Sequence, residues 1–243
     1  MKRFSIFNAY KIYDLEPERH VQAWFLTLFA CYSAFLLSFN GQDPFSKILS
    51  ELLYLFLEPA APLPKISSKF LLYLGIYALI SFTGFILSLS YSITYINKTI
   101  NKETRSALPD VIKKIFPLFI FAVISSGIYV ISSVFLMIPY FIFMSMFYYT
   151  PVEIVLGRRS LPDALKQSWR LTKKRKVFIA AGVISIVFLL RYFASAIAGS
   201  FASSTWASSL IIGFSYALRE LASGRLNALM YLLHTGVIRE REL

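Results

Sequence analysis

The residues able to do chemistry in this 243-residue chain are few and scattered. Asp14, Asp43, Asp110 and Asp163 all sit in segments that read as loops or surface turns, so no carboxylates pair to hold a metal or to divide acid and base duties. His20 and His234 lie at opposite ends, and no His-Glu-x-x-His run occurs. The single Cys31 excludes an intramolecular disulfide and any multi-cysteine metal site, and it reads as a packed apolar residue. Gly213-Phe214-Ser215-Tyr216, with His234 downstream, has the residue types of a serine nucleophile and its base. Too few residues intervene to carry the histidine on a separate membrane crossing, and glycine with serine equally suits close helix contact. The sequence predicts no catalytic residue, no metal and no cofactor.

Charges inside apolar segments are the other chemically expressive group, because the bilayer makes them costly. Glu153 stands one turn before Gly157 and is expected to snorkel to the interface or to pair with Arg158. Arg191 is expected to snorkel outward. Arg219 and Glu220 are the candidate buried pair. If the chain were a transporter, Ser125, Ser126 and Ser185 would join Arg219 in lining a polar path.

The densest cluster of charge lies between Pro151 and Lys176, PVEIVLGRRSLPDALKQSWRLTKKRK. Ser160 is a good N-cap, Pro162 is tolerated in a first turn, and Asp163 follows three residues after the cap. Leu161, Leu165, Trp169 and Thr172 recur at helical spacing, with Lys166, Arg170 and Lys173 on other faces. This predicts an amphipathic helix over about 160–173 lying on a membrane surface, entered by a turn at Gly157. Its candidate headgroup-contacting residues are Arg158, Arg159, Lys166, Trp169, Arg170, Lys173, Lys174, Arg175 and Lys176. Near an anionic surface each cation contributes about 1 kcal/mol.

The elements that position these residues follow from composition. The chain is 57% hydrophobic and 16% charged, whereas soluble domains run to about 45–50% apolar and about 25% charged. The prediction is an all-α, polytopic membrane helical bundle, one domain over 1–243, with about six transmembrane helices and an amphipathic cytoplasmic elbow. The spans are placed at about 21–39, 70–96, 115–137, 140–156, 177–198 and 203–222. An interfacial helix is expected over about 47–57, and an amphipathic helix after the sixth span; the alternative puts that span nearer 212–234. Residues 1–20 read equally as an interfacial helix or a tail, with no removable signal peptide.

Two prolines shape the middle of the chain. From Ile115 to Leu156 the only charge is Glu153. One straight helix of that length would be about 63 Å, twice the hydrocarbon thickness, so the segment must fold back. Pro139 places the turn at Met137 to Tyr140, and Pro151 should kink or shorten the returning helix.

Net charge is +12. With both termini inside, all cations except Lys47, Lys65, Lys69 and Arg191 fall on the cytoplasmic side, the bias expected of short inner loops. The predicted location is the cytoplasmic membrane, multi-pass. The cations border apolar segments, so the expected partners are membrane phospholipids with anionic headgroups, and not nucleic acid. A protein partner or a second copy of the chain is a further candidate.

The run Leu136-Met137-Ile138-Pro139-Tyr140, then Thr150-Pro151-Val152, then Asp163-Ala164-Leu165-Lys166-Gln167-Ser168-Trp169-Arg170-Leu171-Thr172 resembles the six-span membrane domain attached to some glycerophosphodiester phosphodiesterases. It is also similar to that domain's stand-alone membrane relatives. Phe178 would match the motif's last aromatic. The resemblance implies a six-span fold but no activity, because the phosphodiesterase chemistry of the fused proteins belongs to a separate soluble barrel. The functional expectation is a non-enzymatic accessory or scaffold in membrane or envelope homeostasis, with a transporter or lipid-translocating protein as the alternative.

Overall fold

The computed structural model describes residues 6–15, 18–38, 54, 68–102, 105–133, 135, 137–173, 175–201 and 204–237. The surface helix expected over 47–57 falls outside them but for Tyr54, as does Lys174. Among the described residues two 3-10 turns, Ile6–Tyr10 and Ile12–Asp14, precede nine α-helices: α1 Glu18–Ser38, α2 Ser68–Asn101, α3 Leu108–Ile112, α4 Ile115–Ser133, α5 Ile138–Phe147, α6 Thr150–Val155, α7 Leu161–Thr172, α8 Lys176–Ser200 and α9 Thr205–His234. Among the described residues there is no strand, and the predicted all-α membrane bundle is the observed class. Glu18–Ser38, Leu71–Asn101, Ile115–Ser132, Ile138–Val155 and Lys176–Ser200 are long and apolar enough to cross a membrane. The chain is a helical membrane protein. Large apolar side chains stand outward on α4 and α8, among them Phe116, Ile131, Tyr192 and Phe193, as lipid contact requires.

The prolines act where the sequence places them. Met137 takes a left-handed backbone, φ 62°, and starts α5 with Pro139 in its first turn. The returning helix breaks at Tyr148–Tyr149, and Pro151 opens α6. α2 runs past its expected end at 96 to Asn101 and stops at Lys102, φ 56°. Its final turns are packed, not bare: Ile93 and Ile96 are buried with Ala107, Val111 and Leu232, and Thr94 Oγ1 accepts the Ala107 N–H at 3.0 Å.

The C-terminal part differs from expectation. Instead of a span at 203–222 and a separate helix, one uninterrupted 30-residue helix runs from Thr205 to His234. The charges at Arg219 and Glu220 do not end it, because the two side chains pair with each other. Too polar to stand with the five apolar stretches, α9 is nevertheless the centre of the bundle. It packs on α1, α2, α8 and the Ile6–Tyr10 turn.

Its packing rests on fit. Lipid tails are as apolar as leucine, so helices associate in a bilayer through close contact and hydrogen bonds. A Cβ on Gly224 would lie 2.3 Å from the Ser88 carbonyl oxygen of α2, closer than any side chain allows. Around that contact Ser88 Oγ donates to the Glu220 carbonyl at 2.7 Å and Ser92 Oγ to Asn227 Oδ1 at 3.1 Å. On the opposite side Ser215 Oγ donates to the Leu190 carbonyl of α8 at 3.2 Å.

The N-terminal segment is neither a surface helix nor a free tail. Ala9 and Leu15 are buried, the Tyr91 hydroxyl donates to the Ile12 carbonyl at 3.0 Å, and the Arg225 guanidinium donates to the Lys11 carbonyl. Arg225, read from sequence only as a topology charge, is 3% exposed, with its guanidinium over the Tyr95 ring at 5.1 Å.

Candidate functional site

The elbow helix α7 forms as its sequence predicts. Ser160 caps it by accepting the Asp163 N–H, and Ser160 Oγ donates to Asp163 Oδ2. The turn before it differs in detail. Arg158, not Gly157, carries the left-handed backbone, φ 49°. Gly157 is needed for closeness: a Cβ there would lie 2.8 Å from Glu153 Oε2.

The docking face of α7 is not the leucine–tryptophan stripe. Ala164, Ser168 and Thr172 are buried, whereas Leu161 and Leu165 are half-buried and Trp169 is 50% exposed. The cause lies in the broken helix above. Pro151 brings no N–H to the α5–α6 junction, and the helical ladder is interrupted there. Hydroxyls fill in: Ser168 Oγ and Thr172 Oγ1 both donate to the Met146 carbonyl, at 3.2 and 3.0 Å, while Ser168 Oγ accepts the Tyr149 N–H at 3.1 Å. Asn227 Nδ2 of α9 donates to the Tyr148 carbonyl at 3.0 Å. The proline break and the elbow are one structural unit.

With its hydroxyl face satisfied, α7 turns its cations away from the protein. Arg158, Lys166, Arg170, Lys173 and Arg175 are exposed, and the Lys176 ammonium lies 5.8 Å from the centre of the Trp169 ring, within cation–π range. Arg159 is different. Its Nε donates to Glu153 Oε2 at 2.9 Å, and the Tyr231 hydroxyl donates to Glu153 Oε1 at 3.0 Å. Glu153 is 3% exposed, so it is a buried acid paired with Arg159 rather than the snorkelling partner of Arg158.

A second polar contact lies at the same end of the bundle. The Tyr149 hydroxyl and His234 Nδ1 are hydrogen-bonded at 2.5 Å, and His234 Nε2 is buried without a hydrogen-bond partner. The sequence offered no sign of this contact beyond a lone histidine, since its partner is 85 residues away.

Arg219 and Glu220 do pair, Nη2 to Oε1 at 2.7 Å, with side chains 24% and 19% exposed. The guanidinium stacks 4.8 Å over the Tyr216 ring, whose edge contact with Tyr32 spans 5.2 Å. Two of the three serines proposed to join Arg219 make other bonds: Ser125 Oγ donates to Met144 Sδ at 3.7 Å and Ser185 Oγ to the Ala181 carbonyl of its own helix.

A family model described as a domain of unknown function, DUF7847, matches residues 69–237, from the start of α2 to just beyond α9. No curated protein and no solved structure matches the chain.

Proposed function

The chain belongs to the DUF7847 family of unknown function, and from that premise we propose that it is a non-enzymatic, multi-pass protein of the cytoplasmic membrane whose elbow binds anionic lipid headgroups. The elbow and both ends of the chain face the cytoplasm, where short cation-rich loops are retained. The observation that carries this reading is the docking of α7. Ser168 and Thr172 tie one face to the α5–α6 break, and the cations stand on the faces left open. A rigidly held row of cations beside an interfacial tryptophan suits the headgroup layer.

Glu153 holds Arg159 through its Nε, and 43% of that side chain stays exposed, so Arg159 keeps its place in the lipid-contacting set. The set is Arg158, Arg159, Lys166, Trp169, Arg170, Lys173, Lys174, Arg175 and Lys176. The role is that of an accessory or scaffold at the membrane, with lipid contact setting where and how the bundle sits. A variant with Lys166, Arg170 and Lys173 to Lys176 all changed to glutamine tests it. Phosphatidylglycerol co-purifying with the protein, measured by mass spectrometry, should fall severalfold while the thermal midpoint holds. Unchanged lipid content would refute the reading.

A further inference from the structure

The second intramembrane feature does not depend on the collar. Arg219 is 14 residues after Thr205 and 15 before His234, at the midpoint of α9. Opposite charges at such a depth are costly to hold unless they pair or serve a ligand. Arg219 and Glu220 pair, but neither is sealed; each keeps about a fifth of its side chain or more accessible. Two tyrosines adjoin them. The Tyr216 ring lies under the guanidinium, and the Tyr32 ring of α1 meets Tyr216 edge-on at 5.2 Å. Tyr32 is fully buried, and its hydroxyl has no hydrogen-bond partner of good geometry. That hydroxyl and the Glu220 side chain share the space left by Gly84: a Cβ there would lie 3.2 Å from Tyr32 Oη and 3.1 Å from Glu220 Cγ.

We propose that Arg219, Glu220 and the two tyrosines beside them form a binding site, halfway along α9, for a phosphate–ammonium zwitterion. Arg219 presents a planar fork that matches two phosphate oxygens. Glu220 takes the ammonium end. The Tyr32 hydroxyl supplies a further hydrogen bond. Charge balance selects a zwitterion over a singly charged ligand. When Arg219 and Glu220 exchange their mutual bond for the two ends of a zwitterion, no charge is left uncompensated in the apolar interior. An anion alone would strand the Glu220 carboxylate, and a cation alone the Arg219 guanidinium. Two sources share this chemistry, an aminophospholipid headgroup and a free phosphoethanolamine-type solute. A headgroup held here would be midway across the bilayer, the position that lipid translocation requires.

The test is calorimetric titration of the purified full chain, in a neutral maltoside detergent, with dihexanoyl-phosphatidylethanolamine, dihexanoyl-phosphatidylglycerol and glycerophosphoethanolamine. Saturable binding of the phosphatidylethanolamine is expected. It should weaken roughly tenfold or more in Arg219→Gln and Glu220→Gln and severalfold in Tyr32→Phe. It should be unchanged in Lys69→Gln, an exposed cation at the start of α2. Equal affinity for glycerophosphoethanolamine would identify a solute as the ligand, and weaker affinity a lipid; both support the site. Should Arg219→Gln fail to fold, Arg219→Lys and Tyr32→Phe carry the test. No saturable phosphatidylethanolamine binding, phosphatidylglycerol binding that is as tight and is weakened equally by Arg219→Gln, or indifference to all these substitutions would each overturn the proposal.

Discussion

The joint dependence of Ser168 and Thr172 on one carbonyl gives a sharp expectation. Thr172→Val removes one donor to the Met146 oxygen while Ser168 still serves it, so the loss should be that of an ordinary hydrogen bond, about 0.5–1.5 kcal/mol. Ser168→Ala does more, because it also leaves the buried Tyr149 N–H without its acceptor; about 1–3 kcal/mol is expected. In the double variant the Met146 oxygen loses both hydroxyls at a point where Pro151 has already interrupted the ladder. The combined loss should exceed the sum of the singles by roughly 1 kcal/mol. Reversible unfolding of the detergent-solubilised protein by added SDS would supply the four free energies. Limited trypsin digestion at Lys173 to Lys176 would report release of the elbow and should accelerate in the same order. Strict additivity, or a Ser168→Ala protein as stable as wild type, would refute the view that these hydroxyls stitch the elbow to the break.

Gly224→Ala should cost about 1–3 kcal/mol or more by pressing a methyl onto the Ser88 backbone, whereas Gly75→Ala, where a Cβ meets nothing within 4 Å, should be neutral or slightly stabilising; SDS unfolding separates them. Gly157→Ala should displace the Glu153 carboxylate from Arg159 and destabilise by about 1–3 kcal/mol, with little further loss when Arg159→Gln is added; additive losses would contradict it.

What could be read from the residues was whatever local chemistry decides. Pro139 and Pro151 bar helical continuation whatever surrounds them, so the hairpin turn and the broken return helix were visible in advance. Ser160 and Asp163 likewise announced the start of α7. The docking face of α7 was only partly legible, because periodicity points to Leu161, Leu165, Trp169 and Thr172, and of these Thr172 makes the contact together with Ser168, another hydroxyl. Their value exists only once a proline has broken a helix some twenty residues upstream. α9 misled for a related reason. Its charges and serines lower its apolarity, and in isolation they look like a boundary. Arg219 and Glu220 satisfy each other, Asn227 and Ser215 serve neighbouring carbonyls, and Arg225 holds the Lys11 carbonyl, so the polar residues of the helix are the ones that bind the bundle together. Sequence identified the Arg219–Glu220 pair as two charges in an apolar setting, but not the Tyr216 ring under the guanidinium or the Tyr32 ring of α1 against it.

The central position of α9 also bears on how the protein is made. Every other described element precedes it in the chain, so α1, α2 and α8 are all made before the helix on which they pack. The Ile6–Tyr10 turn packs on it too, and Arg225 ties down the Lys11 carbonyl just beyond that turn. Domains ordinarily settle in the order in which they emerge. Here the Ile6–Tyr10 turn can settle only once α9 is in place, whereas the buried core shared by α2, α3, α4, α6 and α7 takes only Ala228 and Leu232 from α9.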